Sequence, residues 1–110
     1  MAKGEYLGDF EHIVLLAILR LGDRAYGMLV RRQIEERTGR DVAIGAVYAT
    51  LERLEQKGYI SSTLADPTPE RGGRAKRFFR IEADGLAALR ASEEALDRMR
   101  AGLKHRWSTS

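Results

Sequence analysis

The hydrophobic period of the chain changes at Gly58, and that change narrows the folds open to it. Before Gly58, Val47, Leu51 and Leu54 recur at i, i+4 and i+7, on one side of a 3.6-residue repeat. After it, Ile60, Ser62 and Leu64 alternate with Ser61 and Thr63, the period of a strand. Gly58 follows Lys57 and reads as a helix stop, with a cation near the negative end of the helix dipole. The change makes the segment from about Val42 to Gly58 the pivot of any fold open to the chain.

Two more helices are expected upstream. The first runs from about Asp9 to Leu21, with Asp9 as N-cap or first-turn acid and Gly22 as terminator. From Phe10 to Leu19 it is apolar nearly all round, so it is buried on more than one side. That fits a central core helix, or one whose second face meets another subunit. The second helix spans about Ala25 to Thr38, with Tyr26, Leu29, Val30 and Ile34 inward and Arg31, Arg32, Glu35, Glu36 and Arg37 on the wet side. Gly39-Arg40-Asp41 then joins it to the Val42–Gly58 helix, the layout of a helix-turn-helix.

Downstream, Tyr59–Leu64 and Arg74–Ile81 read as two strands around the turn-forming Asp66–Gly73. A helix leading into a hairpin, after two earlier helices, is the order of a winged helix-turn-helix domain. Between Glu70 and Arg80 stand Arg71, Arg74, Lys76, Arg77 and Arg80 against one acid, a local +4 in a chain whose net charge is +3. The positive charge is therefore concentrated on one hairpin. From about Ala83 to Arg106 the helical period returns, with Leu89, Leu96 and Leu103 at seven-residue intervals and Ser92 and Met99 between them. A narrow stripe on a helix of about 36 Å suits a partner helix better than a small core.

The chain has 110 residues, no cysteine and two histidines. Cysteine's absence removes disulfide, thiol and zinc-thiolate chemistry. Acids at Glu5, Asp9 and Glu11 interrupt any secretory pattern, and no apolar run approaches the about 18 residues of a membrane span. A cytoplasmic protein is expected, with no membrane partner. His12 and His105 lack a catalytic or metal-binding constellation, so no enzyme activity, catalytic residue, metal or cofactor is expected.

The run from Val47 to Ile60, VYATLERLEQKGYI, resembles the "LYxxLxrLExxGlI" segment of the PadR family of transcriptional regulators. The run from Gly73 to Leu89, GRAKRFFRIEADGLAAL, is similar to that family's "GRxrkYYxLTxxGxxxL" wing and helix start. The resemblance covers roughly Gly8 to Leu103 and points to the short members with a single C-terminal helix. It implies a dimeric winged-helix repressor, often released from its operator by a small molecule of aromatic or multidrug type. By position, Phe10, Val14, Leu96, Met99 and Leu103 are candidates to line an effector space, or are plain interface packing. Phe78-Phe79 departs from the usual tyrosines, Ile81-Glu82 from Leu-Thr, and Ala43 from a serine cap.

The expected fold is mainly α with a small β-hairpin. Residues 1–82 form a winged helix-turn-helix domain and residues 83–110 a dimerisation helix and tail. Double-stranded DNA carrying two half-sites is the expected partner, together with a second copy of the chain. Gly45, Ala46, Ala49 and Thr50 would let the third helix enter a major groove about 12 Å wide, with Tyr48 and Arg53 toward phosphates. Arg71, Arg74, Lys76 and Arg77 would carry the wing's contacts. Phe10, Val14, Leu89, Leu96, Met99 and Leu103 would form the dimer interface. A protein-interaction module and a non-specific architectural DNA binder remain as other uses of the same fold.

Overall fold

The computed structural model describes residues 6–65 and 76–103. Four helices and one hairpin follow in the order α1 (Asp9–Leu21), α2 (Gly27–Thr38), α3 (Ile44–Gln56), β1 (Ile60–Leu64), β2 (Arg77–Ile81) and α4 (Ala83–Arg100). This is a mainly helical winged helix-turn-helix. Val14, Leu15 and Ile18 of α1 meet Val30 and Ile34 of α2 and Val47, Leu51 and Leu54 of α3, and all are buried. Ile60, Phe79 and Leu89 close the same core from the hairpin and α4. The nearly all-apolar α1 is thus the central helix, although Leu16 and Leu19 still face outward.

Local chemistry fixes the helix ends. Gly8, rather than Asp9, is the N-cap of α1, and its N–H donates to the Glu11 carboxylate at 3.1 Å. The α3 terminus is a Schellman turn: Gly58 lies at φ 79°, Gly58 N–H donates to Glu55 O and Tyr59 N–H to Leu54 O, both at 3.0 Å. The α2 start differs from the sequence expectation, because Ala25 and Tyr26 are extended and the helix begins at Gly27. Phe79 N–H donates to the Ala25 carbonyl at 2.8 Å, and Tyr26 bridges Phe78. A strand partner therefore outcompetes a first helical turn there.

The turn between α2 and α3 is held by side chains of α2. Arg31 Nε–H donates to the Val42 carbonyl at 2.9 Å, and Val42 N–H donates to Glu35 Oε2 at 3.1 Å. Arg31 and Glu35 also pair with each other at 3.4 Å. Two residues of the expected wet side thus satisfy both backbone groups of a buried turn residue and set where α3 starts. The hairpin pairs Ile60 with Ile81 and Leu64 with Arg77 in antiparallel register.

α4 is 18 residues long, about 27 Å, and stops at Arg100 short of the expected Arg106. Ala101 leaves the helix and Gly102 adopts φ 84°. Leu103 is consequently off the helix, and the heptad stripe ends one member early. Ser92, expected on the partner-facing seam, is buried and accepts from Leu7 N–H at 3.0 Å. His12 meets Glu93 at 2.7 Å beside it. The first half of α4 roofs the core, while Glu94 and the residues Leu96 to Arg100 are exposed.

Where α4 begins, it presses on the hairpin. A Cβ at Gly85 would run into the Tyr59 carbonyl and crowd Ile81, and that same carbonyl accepts from Glu82 N–H at 2.8 Å. Backbone cannot swing aside as a side chain can. Gly85→Ala should therefore destabilise the protein by about 1–3 kcal/mol despite alanine's better helix propensity, read as a lower urea midpoint at unchanged slope.

Candidate nucleic-acid interface

The leading face of α3 is open. Gly45, Ala46, Tyr48 and Ala49 are all exposed, and a Cβ added at Gly45 would meet nothing within 4 Å. Ala43, the N-cap of α3, offers no side-chain cap. Thr50 does not belong to this face. It is 3% exposed and its hydroxyl lies 3.4 Å from Arg53 Nη2. Val47, Thr50, Leu51 and Leu54 together make the full width of a core stripe, so Thr50 is removed from the candidate contacts.

Arg53 is committed within the protomer. Its Nε–H donates to Glu11 Oε2 at 3.3 Å, and Lys57 Nζ donates to the same oxygen at 2.9 Å. Glu11, 7% exposed, thus joins the start of α1 to the last turns of α3. Nothing in the period of α1 marks it for this. Its signal in the sequence is an acid on an otherwise apolar face.

Tyr48 is half exposed and its ring lies over the start of α2: a Cβ on Gly27 would come within 2.5 Å of its Cε1, Cζ and Oη. Across the same hollow, Lys76 Nζ sits 3.7 Å from the centroid of the Tyr26 ring. The Tyr26 ring packs edge-on against Phe78, centroids 5.5 Å apart. Arg77 donates to Ser62 Oγ at 2.9 Å, and that hydroxyl donates to Glu55 Oε2 at 2.7 Å. Tyr26, Gly27, Met28, Arg32, Tyr48 and Lys76 are among the residues around a concavity of about 540 Å³ between α2, α3 and the wing. Arg71 and Arg74 lie outside the described residues, as do His105 and Trp107. Met28 and Arg32 join the candidate surface. The period places Arg32 on the wet side of α2 but marks neither residue for a site.

The expected interface residues divide. Val14 and Leu89 are buried in the protomer's own core, at 0% and 4% exposure, and Phe10 packs against that core. The first two have no surface left to offer a partner. Leu96 and Met99 remain exposed on α4, at 45% and 75%, with Leu103 exposed beyond the helix end.

The sequence profile of the transcriptional regulator PadR-like family matches residues 15–91. The chain belongs to the PadR-like family of transcriptional regulators. No curated protein matches it in sequence. Solved PadR structures share its fold. A PadR-like regulator from Bacillus cereus superposes with a TM-score of 0.72 at 18% identity, covering 92% of this chain and 93% of that one. PadR-family regulators from Clostridium difficile (TM-score 0.68, 21% identity, 86% and 94% covered) and Eggerthella lenta (0.69, 22%, 89% and 83%) are similar. The PadR match takes in α2, α3 and the hairpin, the elements that border the concavity, together with most of α1 and the first half of α4. Among the described residues no helix is long and apolar enough to cross a membrane.

Glu11 gives the stability of this PadR-like fold a pH dependence. Burial pushes its carboxyl up, but the Lys57 hydrogen bond, the Gly8 N–H and Arg53 outweigh burial and hold its pKa below the ordinary glutamate value. A carboxyl with a lowered folded pKa adds stability above its unfolded pKa, and that stability is lost as pH falls through the folded one. Glu11→Gln should thus be less stable than the parent at pH 7, by about 1–2 kcal/mol, and the gap should close as acid protonates Glu11. Urea midpoints measured from pH 7 down to about pH 3 read it; a gap that stays constant with pH refutes it.

Proposed function

We propose that the chain is a sequence-specific DNA-binding transcription regulator acting in the cytoplasm as a homodimeric repressor on an operator with two half-sites. The observation that carries this is the open face of α3, Gly45, Ala46 and Ala49, beside a concavity bearing Tyr48, Lys76 and Arg77. Short side chains let a helix reach the groove floor, and the phenol and the cations face the phosphates flanking it. Arg71 and Arg74 extend the basic wing in sequence. Arg53 serves phosphate only by sharing itself with Glu11.

In this reading residues 1–82 do the binding, and residues 83–110 join two copies. Leu96 and Met99 supply an apolar patch that the protomer leaves uncovered, which supports pairing through the second half of α4. Release by a small aromatic effector belongs to the same reading. A hollow of about 290 Å³ between Leu7, His12, Ser92 and Leu96 borders the helices that would transmit it.

A gel shift on the chain's own upstream intergenic DNA, with an unrelated duplex as competitor, tests the function. Preferential binding is expected; equal binding would favour an architectural role, and none an interaction module. Gly45→Leu should keep the fold, since the space around Gly45 is empty, yet abolish the shift. Replacing Arg74 and Arg77 by alanine should weaken binding to all sequences. It should also flatten the salt dependence, by about 0.9 in log–log slope for each phosphate that the wing no longer neutralises. Sedimentation should find a dimer at micromolar concentration and a monomer for the Leu96→Asp, Met99→Asp variant. A monomeric parent would overturn the homodimer.

A further inference from the structure

We propose that Tyr26-Gly27, the two residues at the start of α2, form a positioning element that sets the α3 contact and the wing contact relative to each other; this rests on the DNA-binding reading above. Gly27 is buried and begins a helix. It is not among the glycines with positive φ, which among the described residues are Gly22, Gly39, Gly58 and Gly102, so its backbone does not call for glycine. Its space does. The Tyr48 ring occupies the volume a Cβ would fill, with three ring-end atoms at 2.5 Å. Because Tyr48 is 48% exposed, a side chain at position 27 would push the phenol outward rather than break the core.

The neighbouring residue does the matching work for the wing. Tyr26 is extended, at φ −122° and ψ 163°, and is bridged to Phe78 of β2. Its ring faces the Lys76 ammonium at 3.7 Å, within the range where a cation is attracted to an aromatic face. Consecutive Cα atoms are about 3.8 Å apart, so the supports for the α3 phenol and the wing cation are tied covalently. Neither α3 nor the hairpin alone determines that spacing. Tyr26 and Gly27 touch the two contact residues and act through them.

The test is fluorescence anisotropy of the full chain on a labelled duplex from its own upstream region, across a salt series. Gly27→Ala should weaken binding about tenfold, as expected when one charge-assisted hydrogen bond is removed. In a Tyr48→Ala background the same change should alter affinity by less than about twofold, because coupled positions are non-additive. Tyr26→Leu should weaken binding about threefold with an unchanged salt slope, whereas Lys76→Ala should lower the slope by about 0.9. Gly27→Ala binding like the parent, or weakening by the same factor without Tyr48, overturns the proposal while leaving DNA binding intact. Should Gly27→Ala fail to fold, the Tyr48→Ala, Gly27→Ala protein lacks the obstructing ring, and binding weaker than Tyr48→Ala alone would equally overturn it. A parent protein that binds no duplex defeats the DNA-binding reading and this proposal with it.

Discussion

One carboxylate ties the start of α1 to the end of α3. Glu11 lies in the wall of the core and accepts from Gly8 N–H, Arg53 and Lys57. A buried charge is tolerable only when paired and hydrogen-bonded, and here the partners come from the cap of α1 and from the C-terminal end of α3. The core stripe of α3 can resist rotation, but apolar contacts are non-directional. The ion triad adds direction, fixing how far the last turns of α3 lie from the start of α1. At the other end of α3, the Arg31–Glu35 pair does the same through the Val42 backbone. α3 is thus fixed by charged groups at both ends and by packing between them, while Gly45, Ala46 and Ala49 stay exposed on its outer face.

That arrangement explains what the period of the sequence conveyed and what it left unread. The three core helices, the stop at Gly58 and the alternation in both strands follow from nearest-neighbour patterning, and they stand within a few residues of expectation. The α2 start moved because Ala25 was needed as a hydrogen-bond acceptor for Phe79, a demand made by a residue 54 positions away in the chain. Thr50 sits at a helical position between Val47 and Leu54, and its methyl suits a core stripe as well as a groove. Only the width of the stripe distinguishes the two. Ser92 likewise occupies a seam position in sequence and a backbone-capping position in space.

The site was partly legible for the same reason. Exposed, small and cationic residues reveal themselves locally, so the candidate contacts Gly45, Ala46, Tyr48, Ala49 and Arg77 were expected on the surface, where they lie. Residues whose importance is relational were not. Glu11 appears as an acid that interrupts an apolar helix, and Gly27 as an ordinary glycine. Each acquires meaning only once α3 is laid against it. The interface residues divided along the same line: Val14 and Leu89 satisfy a heptad or apolar pattern by filling the protomer's own core, whereas Leu96 and Met99 carry the pattern on a surface the protomer leaves exposed.

The first two turns of α3, Ile44 to Thr50, contain no arginine, lysine, asparagine or glutamine, the side chains that read guanine and adenine by paired hydrogen bonds. Arg53, the nearest cation on that helix, is already held by Glu11. Under the proposed function, α3 therefore discriminates by what it admits rather than by what it bonds, through thymine methyls against Ala46 and Ala49 and through groove shape. Affinity must then come from elsewhere, and the basic wing is where the charge is concentrated. A wing that binds any phosphate and a helix that rejects poorly shaped grooves give little selectivity singly. In the proposed homodimer, two such heads at a fixed spacing would require both grooves to fit at once, and the uncovered end of α4 would then matter to specificity as much as α3 does.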